Sequence, residues 1–457
     1  MDGEKINLNS EKIPRFAFRR EYFGGLLLDL KNTTYELIKP EEIKFLKKIK
    51  DKEKLFLQKL KNPFSRKIVK KFSDRGVLNT KKSGELFIVD TREISDLGKT
   101  PSNFLSAPLK VYDTYTKQCN LNCKHCYARS NSSVLEKSRT LNQTRKIMKK
   151  FYDVGVLEWN FTGGEPTVAP NLLEAIKIAK NFRMRVVLNT NGCWSSETAK
   201  KILPSGVNEF IISLEGRQET NDERRGSGNF RKAIKTLDKI HEYKKSNPTQ
   251  DLEVILNMTV GKDNVSDIGF VTKLATKYKF GVKFVTLKPA GRASENLPER
   301  TLSAKEYMEF AERVQDLREE QQIKESGIPI ILNHQDLFST NYSDRSSLPY
   351  PFNYSECTAL TTAMDILPDG KVIACSFLMD FPEFIGPNIL DVSVSEAWRH
   401  PAMERFRWAK KEDCVDCGFY MNKCRGYCRS TVLLNGGKIE GRRLNGKDPY
   451  CFRSLLP

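Results

Sequence analysis

Between about residues 108 and 330, short apolar runs alternate with amphipathic stretches. Leu109–Tyr115, Glu158–Thr162, Arg185–Asn189, Glu209–Leu214, Leu252–Met258 and Val282–Leu287 are short, rich in β-branched and aromatic residues, and predict strands. Between and after them, Thr140–Val154, Asn171–Asn181, Ser195–Leu203, Phe230–Lys244, Val265–Tyr278 and Ser303–Glu325 repeat apolar residues at helical spacing. Six strand–helix repeats predict a parallel sheet with right-handed crossovers, either open or curled into a partial barrel.

The flanks follow other patterns. In residues 1–100, Arg15–Phe18 and Gly25–Leu30 read as strands, Asn32-Thr33-Thr34 as a turn and Tyr35–Ile38 as the returning strand. Pro40, Glu41 and Glu42 suit a helix start, and Ile43, Phe45, Leu46 and Ile49 continue it at helical spacing. Further helices are predicted at Leu55–Leu60 and Phe64–Phe72, and a two-stranded wing at Val77-Leu78 and Leu86–Val89. The outline is winged-helix-like. In residues 333–457 the alternation stops, and seven of the eleven cysteines appear there. A segment so irregular needs a staple other than a large apolar core, and bound metal is the available one.

At 457 residues, two or three domains are expected. No apolar run approaches the ~18–20 residues of a membrane span, and the polar segment Met1 to Ser10 does not read as a signal peptide. The chain therefore reads as cytoplasmic, with cysteines that ligate metal rather than pair as disulfides. The net charge of +19 admits nucleic acid, an anionic cofactor or an acidic peptide as partner. No nucleic-acid-binding motif accompanies it, so scattered lysines on helix faces, as from Glu41 to Lys61, account for it best.

Cys119, Cys123 and Cys126 follow the first strand with Cys-x3-Cys-x2-Cys spacing, which lets three thiolates reach separate corners of one 4Fe-4S cube. Gly163-Gly164-Glu165-Pro166 follows the second strand, Asn189-Thr190-Asn191-Gly192 the third, and Ser213-Leu214-Glu215-Gly216 the fourth, with Arg225-Gly226-x-Gly228-x-Phe230 opening the next helix. Parallel α/β folds place their chemistry at these strand ends. Together the motifs resemble the radical S-adenosylmethionine (SAM) enzymes. That resemblance implies a partial (β/α)6 barrel in which Cys119, Cys123 and Cys126 hold a cluster whose fourth iron binds SAM. It further implies SAM contacts from His125 beside the adenine, Gly163, Gly164 and Pro166 along the backbone, and Glu165 on the ammonium. Asn189 and Asn191 would meet the ribose, and Ser213 and Arg225 the carboxylate. Glu215 stands where the family often has Asp. Leu287-Lys288-Pro289-Ala290-Gly291-Arg292-Ala293 resembles a stretch of related enzymes, with its role here open.

Cys357-x12-Gly370-x4-Cys375, Cys414-x2-Cys417-x6-Cys424-x3-Cys428 and Cys451 resemble the SPASM domain of peptide-modifying radical SAM enzymes, except that six residues rather than five separate Cys417 from Cys424. The resemblance implies two auxiliary 4Fe-4S clusters, three in all. Cys414, Cys417, Cys424 and Cys451 would hold the distal one, and Cys357, Cys375 and Cys428 the proximal one. A zinc knuckle at Cys414, Cys417, Cys424 and Cys428 is the competing reading. No cysteine lies between Cys193 and Cys357 to complete the proximal set, which implies an open or exchangeable iron; Cys193 reads as a packing residue.

The stretch Phe16-x-Phe18-Arg19-x-Glu21-x-Phe23-Gly24-Gly25 resembles the leader-peptide-recognition (PqqD-like) domain of maturases of ribosomally made peptides; a DNA-binding winged helix and a structural cap are the alternatives. The combination implies a precursor-peptide maturase fed electrons by a flavodoxin or ferredoxin, forming a thioether at Cys. Carbon–carbon crosslinking, epimerisation and haem or cofactor biosynthesis stay open, as does a DNA-binding iron–sulfur regulator. Anaerobic sulfatase maturation is disfavoured, since Ser376 follows Cys375 where those enzymes have Asp.

Overall fold

A computed structural model describes residues 14–50, 55–89, 91–94, 97, 101–134, 139–333, 357–409, 414, 417, 428–446, 448–451 and 455. Its N-terminal part comprises β1 (Phe16–Glu21), β2 (Gly24–Asp29), β3 (Thr34–Ile38), α1 (Pro40–Lys50), α2 (Pro63–Asp74), β4 (Leu78–Thr80), β5 (Leu86–Ile88) and β6 (Thr91–Ile94). The first three strands form an antiparallel meander, and β6, too short and polar to be predicted, adds in parallel beside β1. Leu55–Leu60 is not a helix beyond a 3-10 turn at Leu57–Lys59. The Leu55 carbonyl and the Leu57 N–H are committed to Leu86 and Gly84 of the wing, which removes the backbone groups a helix would use.

Strand alternation gives the N-terminal sheet two buried faces. Phe16, Leu27 and Ile38 pack with Ile68 and Phe72 of α2, whereas Ala17, Leu26 and Leu28 join the main core of the molecule. A fully buried ion pair fastens this second face. Arg19 Nε donates to Glu21 at 2.7 Å, and its Nη1 donates to the carbonyls of Pro108 and Val154, both at 3.0 Å. Glu21 in turn accepts from the backbone and hydroxyl of Ser106 at 2.8 and 3.0 Å.

The central part runs β7 (Lys110–Thr116), α3 (Leu141–Asp153), β8 (Glu158–Gly163), α4 (Leu172–Asn181), β9 (Arg185–Thr190), α5 (Ser196–Ile202), β10 (Glu209–Ser213), α6 (Gln218–Arg225) and α7 (Asn229–Ser246). It continues through β11 (Glu253–Val260), α8 (Ile268–Tyr278), β12 (Gly281–Thr286), α9 (Ala293–Asn296), α10 (Ala304–Glu319), α11 (Gln321–Ser326) and β13 (Ile330–Leu332). All seven strands are parallel and paired in chain order. In β11, Val254, Leu256, Met258 and Val260 are buried, while Ile255, Asn257 and Thr259 line a cavity of about 820 Å3. Tyr112, Asn160, Asn189, Ile211, Val285 and Ile331 bring the other six strands onto the same cavity. The sheet is therefore curled. Lys110 on β7 and Lys283 on β12 interact electrostatically, although five strand spacings in a flat sheet would part them by about 24 Å.

Two expectations change here. The helix predicted over Ser303–Glu325 breaks at Glu320, which takes an extended ψ of 122°. Arg225 closes α6 instead of opening the next helix, because Gly226 and Gly228 adopt φ of 106° and 75° and turn the chain. Asp222 then accepts from the Gly228 and Phe230 N–H groups and starts α7.

The C-terminal part is more regular than its sequence suggests. β14 (Ala363–Ile366) pairs in parallel with β7, and β15 (Lys371–Ile373) and β16 (Ile385–Asn388) extend the same sheet antiparallel. α12 (Val394–Trp398), α13 (Pro401–Trp408), α14 (Arg429–Leu434) and the hairpin β17 (Lys438–Glu440) with β18 (Arg443–Asn445) complete it. Met364, Ile366, Trp398 and Phe406 belong to the main core, so apolar packing holds this segment to the rest of the chain.

Candidate functional site

Cys119, Cys123 and Cys126 lie on the loop that leaves the C-terminal end of β7, and all three face the cavity. Burial pushes the Cys119 thiol up to about 12 and raises that of Cys123. Thiols so placed become thiolates when a metal binds them, and the loop is built to hold one. Arg292 donates to the Cys123 and Ser130 carbonyls at 2.9 and 2.7 Å, and its N–H to the Cys126 carbonyl at 3.0 Å. Gly291 has φ of 56°, and a Cβ there would lie 2.6 Å from the Cys126 carbonyl oxygen. The stretch left without a role in the sequence is thus the clamp on the cysteine loop.

His125, Gly163, Gly164, Asn189, Asn191, Ser213 and Arg225 line the cavity around the three thiols. His125 Nδ1 is buried and has no hydrogen-bond partner among the described residues, a polar atom available to a ligand. Burial lowers the His125 pKa despite Glu215 beside it. Arg225 donates to Glu215 through Nε at 2.9 Å and Nη2 at 2.5 Å. The Thr259 N–H reaches the other Glu215 oxygen at 2.8 Å. Burial opposes ionisation of Glu215, but Arg225, then His125 and Arg224, hold its carboxyl well below the usual range. The longer carboxylate at this position therefore braces the arginine.

Glu165 and Pro166 are buried but do not face the cavity. The Glu165 carboxylate accepts from Thr167 Oγ1 at 2.6 Å, Thr190 Oγ1 at 2.8 Å and the Asn191 N–H at 2.7 Å. It ties the loop after β8 to the loop after β9. Asn191 extends the tie, donating to Asn120 at 2.7 Å beside the cysteine loop.

Cys357, Cys375 and Cys428 line the same cavity from the C-terminal part. Burial pushes the Cys357 thiol up to about 11 and Cys375 well above its ordinary value; burial also opposes ionisation of Cys428, but the Lys288 ammonium and the hydrogen bonds from Thr431 together lower that thiol. Among the described residues no three His, Cys, Asp or Glu side chains converge on a point that one ion could occupy, while a cube of irons takes thiolates at separated corners. Cys414, Cys417 and Cys451 lie off this cavity, and Cys424 lies outside the described residues. Cys193 also lies off it, with its sulfur accepting from Asn229 at 2.8 Å.

Two family models match the chain, the radical SAM superfamily over residues 114–274 and the SPASM iron–sulfur cluster-binding domain over residues 357–418. The chain is a radical SAM enzyme. The mycofactocin maturase MftC of Mycolicibacterium smegmatis is 26% identical over 357 residues, 76% of this chain and 83% of that one. An Fe-coproporphyrin III synthase of Methanosarcina barkeri is 31% identical over 242 residues, 51% of this radical SAM chain and 58% of its own. The structure of Streptococcus suis SuiB bound to precursor peptide SuiA shares the fold at a TM-score of 0.64 and 17% identity, covering 92% of this chain and 95% of that one.

One carboxylate of the radical SAM enzyme escaped sequence reasoning. Asp365 on β14 faces the cavity and accepts from the Ser376 N–H at 2.9 Å and Oγ at 2.5 Å. Burial pushes its pKa up to about 6. It brings an acid to the place where the sequence, with Ser376 after Cys375, had none. Only strand pairing between β14 and β7 reveals this, and no local motif signals it. Among the described residues no helix is long and apolar enough to cross a membrane.

Proposed function

We propose that this radical SAM enzyme matures a ribosomally made precursor peptide. The observation that carries the reading is the seating of the N-terminal sheet. Its edge strand β3 pairs only with β2 among the described residues, and Tyr35 on that edge interacts with Lys110 at the N-terminal end of β7, which lines the cavity. A leader added to β3 as a further strand would hold the following core peptide at the cavity, raising its effective concentration there.

In this reading Cys119, Cys123 and Cys126 hold the cluster that binds SAM. Together they supply, when bound, a 5′-deoxyadenosyl radical able to abstract hydrogen from an unactivated carbon. Arg225, braced by Glu215, and Ser213 receive the SAM carboxylate, His125 lies beside the adenine, and Asn189 and Asn191 meet the ribose. Gly163 and Gly164 let the backbone approach it, while Glu165 and Pro166 fix the loops from behind. A flavodoxin or ferredoxin serves as electron donor, and the enzyme works in the cytoplasm.

Cys357, Cys375 and Cys428 hold a proximal auxiliary cluster with one iron free of protein thiolate, and Cys414, Cys417, Cys424 and Cys451 hold a distal one. The free iron can take a substrate thiolate, which supports thioether formation at Cys. Co-expression under anaerobic conditions with a Cys-containing peptide encoded beside the gene should lower the peptide mass by about 2 Da per crosslink. Unchanged peptide, with 5′-deoxyadenosine formed only when a porphyrin is added, would favour the second reading, a tetrapyrrole enzyme, which the Fe-coproporphyrin III synthase likeness supports. That reading leaves the N-terminal sheet without a task.

A further inference from the structure

The segment from Leu287 to Arg292 touches the cysteine loops of three candidate centres. Arg292 and Gly291 clamp the Cys123–Cys126 loop. The Leu287 carbonyl accepts from the hydroxyl of Tyr450, the neighbour of Cys451, at 2.9 Å. Between them Lys288 reaches Cys428. Its Nζ lies 3.3 Å from the sulfur and 2.7 Å from Thr431 Oγ1, and 5.3 Å from the centre of the Phe377 ring.

Lys288 is 3% exposed, and among the described residues no carboxylate pairs with it. A buried ammonium requires an anion. Here the anionic candidates are cysteine sulfurs, and an iron–sulfur cube with its thiolates carries net negative charge. A cation and hydrogen-bond donor held against a cluster thiolate stabilises the more negative, reduced state and raises the reduction potential.

We propose that Lys288 is a positioning residue that tunes the proximal auxiliary cluster, setting its potential through the Cys428 sulfur. The inference rests on the reading of Cys357, Cys375 and Cys428 as ligands of that cluster. It does not depend on which substrate the enzyme modifies. Because Lys288 sits in the same short segment as the clamp on the radical-generating loop, tuning and clamping share one piece of backbone.

The test is an anaerobic redox titration of full-length holoenzyme followed by electron paramagnetic resonance, with the radical-generating cluster identified as the signal that SAM alters. At the potential where the wild-type auxiliary cluster is half reduced, K288M should lower its reduced-to-oxidised ratio about tenfold, 59 mV for one electron. K288R should stay near wild type, and the SAM-responsive signal should not move. An auxiliary signal of unchanged potential in K288M overturns the proposal. Should K288M not assemble the cluster, proton electron–nuclear double resonance of the wild type in H2O and D2O decides. Exchangeable protons coupled to the reduced auxiliary cluster support the proposal, and their absence overturns it. Holoenzyme without any auxiliary signal would instead overturn the cluster assignment, and the proposal with it, without bearing on the peptide-mass experiment.

Discussion

Replacing Arg19 with Met tests how the N-terminal sheet is seated. Both members of the Arg19–Glu21 pair have fully buried side chains. The variant leaves Glu21 with only Ser106 as donor and strips the Pro108 and Val154 carbonyls of theirs. Breaking a buried pair from one side costs about 3–5 kcal/mol, and two orphaned carbonyls at about 1–3 kcal/mol each account for much of it. Adding E21L removes the stranded charge and should recover about 2 kcal/mol. The cost should also grow with pH. Burial raises the Glu21 carboxyl above 4.5 in the folded chain, against the lowering effect of Arg19. Without Arg19 it rises further, so the folded chain holds a proton that the unfolded one has released. By linkage, stability is then full below about 4.5 and falls as pH climbs through the raised folded value. Urea unfolding of the holoenzyme under nitrogen at pH 5.5 and pH 8, with hydrogen exchange of residues 16–29 as local readout, measures both effects. A cost under about 1 kcal/mol at both pH values, or a smaller cost at pH 8, would refute the reasoning. The same variant should raise KM for the precursor peptide while leaving SAM binding unchanged.

Gly291→Ala places a Cβ against the Cys126 and Tyr127 carbonyls in a left-handed conformation; the conformation alone costs about 1–2 kcal/mol, and iron analysis should show loss of the SAM-responsive cluster with auxiliary iron retained. Asp365→Asn should leave 5′-deoxyadenosine formation within twofold of wild type and slow peptide modification by about 10²–10⁴-fold if Asp365 accepts the substrate proton, measured by peptide mass spectrometry; equal loss of both activities would argue for a structural role. Glu165→Gln replaces a charged acceptor of four donors and should weaken SAM binding by about 1.5–3 kcal/mol through looser strand-end loops, read by equilibrium binding.

The barrel and the SPASM cysteines were readable in the sequence because their signals are local. Strands such as Val282–Leu287 show as apolar runs, and the Cys119–Cys126 spacing is one that lets three thiolates reach one small cluster. Elements settled by pairing partners were not readable. Thr91–Ile94 and Ile330–Leu332 become strands because β1 and β12 offer free edges, and Leu55–Leu60 fails to become a helix because the wing takes its backbone groups. Glu165 looks from its motif like a ligand for the cofactor, yet its acceptors are filled by Thr167, Thr190 and Asn191. Its direction depends on loops that sequence does not position.

Periodicity by itself determined the class of fold, and the resemblance of the strand-end motifs to those of radical SAM enzymes implied the chemistry that starts the reaction, since both rest on patterns within short segments. Tertiary structure decided how the parts bear on one another. Curling of the sheet brings Cys126, Cys375 and Cys428 to one cavity, β14 carries Asp365 beside Ser376, and a buried lysine from the barrel meets a thiol from the C-terminal part. Of these contacts, the one between the lysine and the thiol alone spans 140 residues of chain. The packing that creates them has no signature at either end.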